Sequence, residues 1–247
     1  MKKNSFSRKR IIHICVIAAI VAVVILIAIF LMFRYNVEGE TNLPFNLKSI
    51  NIVSTAESSL NKNEEVWHAS ILQKNDIFFT IEKNNNYKKQ DAIKRVSFEN
   101  FEITKENEDM IVTIYRPATS VNSYIYSDEY KIENSIEFTG SQSTNMETLQ
   151  INNQGGIIGF SITSDNLGEY IASINEKVPM DGKLLAKAGV KKEEMDFKVS
   201  FDLIIETESN HKFKSNIVLD LPTGNILKDG VGTLEDTELK NIIFKRF

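Results

Sequence analysis

Cysteine, proline, tryptophan and histidine are all scarce in this chain: its 247 residues hold one, four, one and three of them, and each shortage removes a class of explanation. The one cysteine, Cys15, lies near the N-terminus, so everything beyond residue 33 folds without disulfides and offers no thiolate to a metal. Beyond the same point stand only two histidines, His68 and His211, and no HExxH or HxH spacing joins them, so neither a metal site nor another cofactor is expected. About two dozen asparagines produce no Asn-x-Ser/Thr acceptor, which argues against a eukaryotic secretory protein. With the Lys-over-Arg and Asn-rich bias of AT-rich codons, the composition points to a bacterial envelope protein.

Charge is absent from residues 11–33, IIHICVIAAIVAVVILIAIFLMF, as are proline and glycine. At ~1.5 Å per residue the stretch spans about 34 Å, slightly more than the ~30 Å hydrocarbon core, so it is expected to cross a membrane once. Residues 1–10 form a basic tail with Lys2, Lys3, Arg8, Lys9 and Arg10 and no acid, which places the N-terminus in the cytoplasm. A cleavable signal peptide has a shorter apolar core and a small-x-small site, whereas this run ends Ile29-Phe30-Leu31-Met32-Phe33. The segment is therefore expected to be an uncleaved signal anchor, with the partner membrane contacted through residues 11–33. His13 sits close to Arg10 at headgroup level and reads as an interfacial residue, not a proton relay.

Residues 1–34 hold six of the 29 Lys/Arg and none of the 33 Asp/Glu, which leaves 23 bases against 33 acids beyond them, a balance of −10. An acidic exterior argues against nucleic-acid binding and fits a domain that stays off anionic headgroups.

Residues 34–41 read as a short polar tether, and residues 42–247 as a β-rich extracytoplasmic domain. The expected class is mostly β: a transmembrane helix followed by a β-sandwich-like ectodomain, one large or two tandem sandwiches divided near residues 140–147, with one or two short helices. Val199, Phe201, Leu203 and Ile205 alternate with polar residues, and after Glu208-Ser209-Asn210 the alternation resumes through Phe213, Ser215, Ile217, Leu219 and Leu221, the pattern of a hairpin. A second hairpin is expected from Val66 to Leu72, turning at Lys74-Asn75-Asp76 and returning through Ile77, Phe79 and Ile81. Further strands are expected at Phe45 to Val53, Ile93 to Thr104, Met110 to Tyr115, Tyr130 to Phe138, Gly156 to Thr163 and Leu239 to Phe247. Gly182 to Ala188, closed by Gly189, reads as a helix and Lys192 to Met195 as a helical turn; residues 167–174 fit either a helix or a strand. Val96-Ser97-Phe98-Glu99 and Val199-Ser200-Phe201-Asp202 look alike, which would suit a duplicated module.

No catalytic constellation is present. Ser209-Asn210-His211-Lys212 has SxxK spacing but sits in a hairpin turn, and Leu221-Pro222-Thr223-Gly224 reads as the turn after a strand. Glu106-Asn107-Glu108-Asp109 and Asp128-Glu129 lack the spacing of a calcium loop. Asn152-Asn153-Gln154-Gly155-Gly156 lacks a Walker lysine. Tyr124 and Tyr126 share a strand face, and with Trp67 they form the candidate aromatic binding face. The expected function is a non-enzymatic binding or scaffolding module whose partner is another envelope protein or a wall component. The alternatives are an envelope hydrolase using carboxylates from distant strands, or an accessory subunit of a membrane complex.

Overall fold

The structure is a computed structural model and describes residues 8–62, 66–89, 91–116, 128–139, 150–176 and 183–247. Helix α1 (Arg8–Thr41) contains one stretch, Ile12–Met32, long and apolar enough to cross a membrane, and none of it is covered by the rest of the protein. The helix continues through residues 34–41, so the residues read as a tether are helical and lead straight to Pro44 and Phe45. Pro44 lacks the N–H that a further turn requires.

Beyond it the fold is two antiparallel sheets. One contains β1 (Phe45–Lys62), β2 (Val66–Lys83), β4 (Ile111–Tyr115), β6 (Gln150–Asn152), β7 (Gly155–Ser173) and β10 (Val231–Asp236); its order is β10-β1-β2-β7-β4, with β6 on the start of β7. The other contains β3 (Ile93–Lys105), β5 (Ser135–Thr139), β8 (Phe197–Thr207), β9 (Lys212–Leu221) and β11 (Lys245–Arg246), in the order β11-β9-β8-β3-β5. Among the described residues there are also three short α-helices, α2 (Lys183–Lys187), α3 (Lys192–Met195) and α4 (Ile226–Asp229).

Each sheet draws strands from both sides of residues 140–147 and the inward faces share one hydrophobic cluster, so the fold is one sandwich. The proposed boundary residues themselves lie outside the described residues. The centre of the core is aromatic: Phe79 and Phe98 lie 4.9 Å apart between ring centroids, Phe98 and Phe160 5.1 Å, and Phe160 and Phe201 5.2 Å. Mostly edge-on contacts of this kind are the favoured aromatic geometry. The similar segments at 96–99 and 199–202 are neighbouring strands, with Glu99 opposite Asp202, so their likeness reflects two strands sharing one core.

The turn expected at Lys74-Asn75-Asp76 does not form. Strand β2 runs straight through it, because Ala69, Ile71, Gln73, Asn75, Ile77, Phe79 and Ile81 are one inward row at period 2, all buried. Two amides in that row imitate a polar turn. Residues 167–174 are largely strand, the second half of β7. The expected strand at 239–247 shrinks to β11: the Asp236 carboxylate accepts hydrogen bonds from the backbone N–H of Glu238 and Leu239, and Leu239 turns the chain with φ 47°. Tyr130 belongs to a 3-10 turn (Asp128–Tyr130), and the strand expected from it begins only at Ser135. The 208–210 hairpin, α2 and α3 form where their residues predict.

Candidate interaction groove

A groove opens beside β3 and β4, one strand from each sheet. Strand β3 carries a bulge between Glu99 and Glu102, with Asn100 in the left-handed region at φ 56°. The Asn100 amide donates to the Asp202 carboxylate at 2.8 Å and holds the bend. A bulge shifts the inward phase of a strand: Val96 and Phe98 face the core before it, Phe101 and Ile103 after it. Phe101 packs at 5.2 Å from Phe160 and 5.5 Å from Phe201.

From the opposite sheet come Val112 and Ile114, and Ile132 closes the end through a 2.8 Å hydrogen bond from its N–H to the Ile114 carbonyl. These five apolar side chains floor a groove of about 610 Å³. Its rim is polar: Thr113, Glu133 and the 2.6 Å Lys131–Asp128 pair. That pairing holds Asp128 below the ordinary carboxylate range and Lys131 above its own.

The backbone flanking this groove is edge strand. Among the described residues β4 ends its sheet, with residues 130–132 already bonded along its outer side at Ile114 to Arg116, so that Ile111 to Thr113 are left as edge. Strand β5 covers β3 only along Arg95 to Glu99, so among the described residues positions 102–105 of β3 have a ladder partner on the β8 side alone. Exposed strand edges present unpaired N–H and C=O groups to another chain. The groove therefore offers a partly apolar floor beside a short stretch of edge backbone. The sequence located both strands but not the bulge, whose only local signal is the change of apolar phase between Phe98 and Phe101.

Hydrolysis asks for something different, an acid pushed up and a base held down across one cleft. Burial pushes the Asp165 carboxyl up, with Lys131 opposing it, but Asp165 does not line the groove, and Asp128, which does, is held low. A second cleft, beside α3, gathers Glu106, Glu193, Asp196 and Asp220, of which Asp196 pairs with Lys192 and Asp220 with Lys198. Among the described residues no group of three or more His, Cys, Asp and Glu is placed to hold a metal ion.

The remaining candidates disperse. His68 pairs with Glu169 at 2.7 Å, and His211 stands 3.7 Å from buried Asp91. Trp67 lies near the start of β2 between Lys62 and Ala172. Tyr115 faces Ser161, the neighbour of Asp76, about 30 Å further along β2 at ~3.3 Å per residue. Tyr124 and Tyr126 lie outside the described residues. The turn at Pro222-Thr223-Gly224 forms as expected and is structural: Thr223 N–H donates to Ser54 Oγ at 2.9 Å, and Ser54 Oγ donates to Asn75 Oδ1 at 2.6 Å.

No protein-family model, curated protein or solved structure matches this chain. The site's own geometry therefore carries the functional argument.

Proposed function

We propose that the chain is a single-pass membrane protein, anchored by residues 11–33 with its N-terminus in the cytoplasm. Its sandwich then works outside as a non-enzymatic module that captures an extended segment of another envelope protein. The observation that supports this reading is the groove beside β3 and β4, lined by half-buried Phe101, Ile103 and Val112 over buried Ile114 and Ile132, next to strand-edge backbone. An extended peptide added there would satisfy edge backbone groups and place alternate side chains on the apolar floor. The basic residues ahead of the helix and the lack of a cleavage site support the orientation and retention of the anchor.

The test is a crosslinked pull-down of the tagged full-length protein from its native membranes, compared with an Ile103→Arg/Val112→Arg variant and with the anchor alone. The proposal expects a protein partner recovered with the parent chain and lost in both controls. Equal recovery with the variant would move binding elsewhere. Turnover of labelled wall material, abolished by one carboxylate substitution, would replace the reading with a hydrolase.

A further inference from the structure

The end of the sandwich at which α1 enters has a surface character that the net charge hides. Phe45, the first strand residue after the helix, packs on Phe244 at 5.0 Å, which draws the last residues of the chain to the helix exit, and β11 lies next to α1. Phe244 points into the core; Ile243 and Phe247 stay 54% and 60% exposed, and Lys245 is exposed between them. The turn after β2 is pinned to the same place: the Asn84 side-chain amide donates to the Leu43 carbonyl at 2.8 Å and its backbone N–H to the Pro44 carbonyl at 2.9 Å. That turn presents Lys88 and Lys89 to solvent, with half-buried Tyr87 beside them.

Several acids at this end are engaged: Glu82 pairs with Lys48, Glu206 with Lys94 and Arg95, and buried Asp91 accepts from the Ser209 N–H. Glu208 and the terminal carboxylate also stand here, and Glu38 and Glu40 belong to the last turns of α1. At the far end stand Glu106, Glu108 and Asp109 after β3, Glu193 and Glu194 on α3, and Asp220 at the end of β9. Exposed acids thus gather at the far end, and the exposed lysines Lys88, Lys89 and Lys245 gather beside the helix.

We infer that this end is a membrane-facing collar that seats the sandwich on anionic lipid headgroups, with Lys88, Lys89, Lys245 and Arg246 over the phosphates and Ile243, Tyr87 and Phe247 at interfacial depth. Lys and Arg near an anionic surface contribute about 1 kcal/mol each, and aromatic rings favour the headgroup level. The inference rests on the reading of α1 as a membrane span, which brings this end, and no other, to the bilayer. It reverses the expectation, drawn from the overall balance of −10, that the domain stays off headgroups.

The experiment is amine-acylation footprinting of the full-length chain in nanodiscs of phosphatidylcholine alone or mixed with phosphatidylglycerol. Lys88, Lys89 and Lys245 should react at least about threefold more slowly in the anionic discs, and high salt should remove the difference, while Lys198, 63% exposed and at the far end, reacts equally in both. Equal rates at the three lysines in a chain that has entered the discs overturn the collar alone. A chain that fails to enter the discs overturns the membrane span and the collar with it. Equal protection by soluble glycerol phosphate in zwitterionic discs would show that free phosphate is read, and would overturn seating on lipid.

Discussion

Replacing Gln73 by methionine should stabilise the protein, which is unusual for a fully buried position in the middle of a central strand. The Gln73 side chain has no exposed surface, and neither its Oε1 nor its Nε2 has a hydrogen-bond partner; its inward cross-strand neighbours are Ala56 and Ser164. Burying an amide without partners costs about 1–3 kcal/mol on protein mutational scales. Methionine has nearly the same length and volume, so Gln73→Met removes that cost and opens no cavity. For a domain of about 200 residues, ~2–4 °C of Tm accompanies each kcal/mol, so a rise of about 2–12 °C is expected. The single tryptophan, Trp67 on the same strand, reports thermal unfolding of the full-length chain in detergent through its fluorescence. Two positions along, Asn75→Leu should act oppositely and cost about 1–3 kcal/mol, because Asn75 accepts the 2.6 Å bond from buried Ser54. A fall in Tm for Gln73→Met comparable to that for Asn75→Leu would refute the reasoning, since it would mean that the Gln73 amide is satisfied.

Phe98→Ala, which removes a fully buried ring from the aromatic cluster, should cost about 3–5 kcal/mol in the same unfolding assay. Gly232→Ala should cost about 2–3 kcal/mol or more, because its new Cβ would lie 1.8 Å from the Thr223 carbonyl oxygen; Gly189→Ala meets nothing within 4 Å and should show only the smaller cost of its left-handed φ of 73°. Acid should weaken the outer face of the β3-β8-β9 sheet. The Lys94 hydrogen bond, against burial and with help from Arg95, holds Glu206 below its ordinary value; Asp202, although burial opposes it, is held low by Asn100, Asn216 and Lys214. Both carboxylates are lower in the folded chain, so their contribution is present at neutral pH and is lost as pH falls through the ordinary values of 4.5 and 3.8 and below. Glu206→Gln should flatten that part of the stability-pH curve. Asp165 has the opposite sign: burial raises its pKa, so it favours folding most at low pH and less as pH rises, and Asp165→Asn should stabilise the chain at neutral pH.

Most of the strand framework was legible because apolar alternation marks a half-buried strand wherever it is unbroken, as in β8 and β9, where Val199, Phe201, Leu203 and Ile205 answer Leu219, Ile217, Ser215 and Phe213 in register. It failed where the core is polar. Gln73 and Asn75 face inward yet read as a turn, so an 18-residue strand looked like a hairpin. It failed again at β10, where Leu234 is exposed and little alternation remains, and at α4, a single turn whose buried residue is Ile226. The candidate groove was half legible: Phe101, Ile103, Val112 and Ile114 fall within expected strands, but their meeting depends on the Asn100 bulge and on which strand pairs with which, a long-range choice that local pattern does not encode. The collar was hidden for a similar reason, since a net charge says nothing of which end of the fold its lysines occupy.

The most direct test of the account is site-specific photo-crosslinking in native membranes, with a photoreactive residue placed at Ile103 or Val112 in the groove, or at Val218 on the exposed face of β9. The account predicts an adduct to one protein partner from the two groove positions, mapping to a short extended segment, and none from Val218. Adducts of equal yield from all three positions, or from Val218 alone, would contradict it.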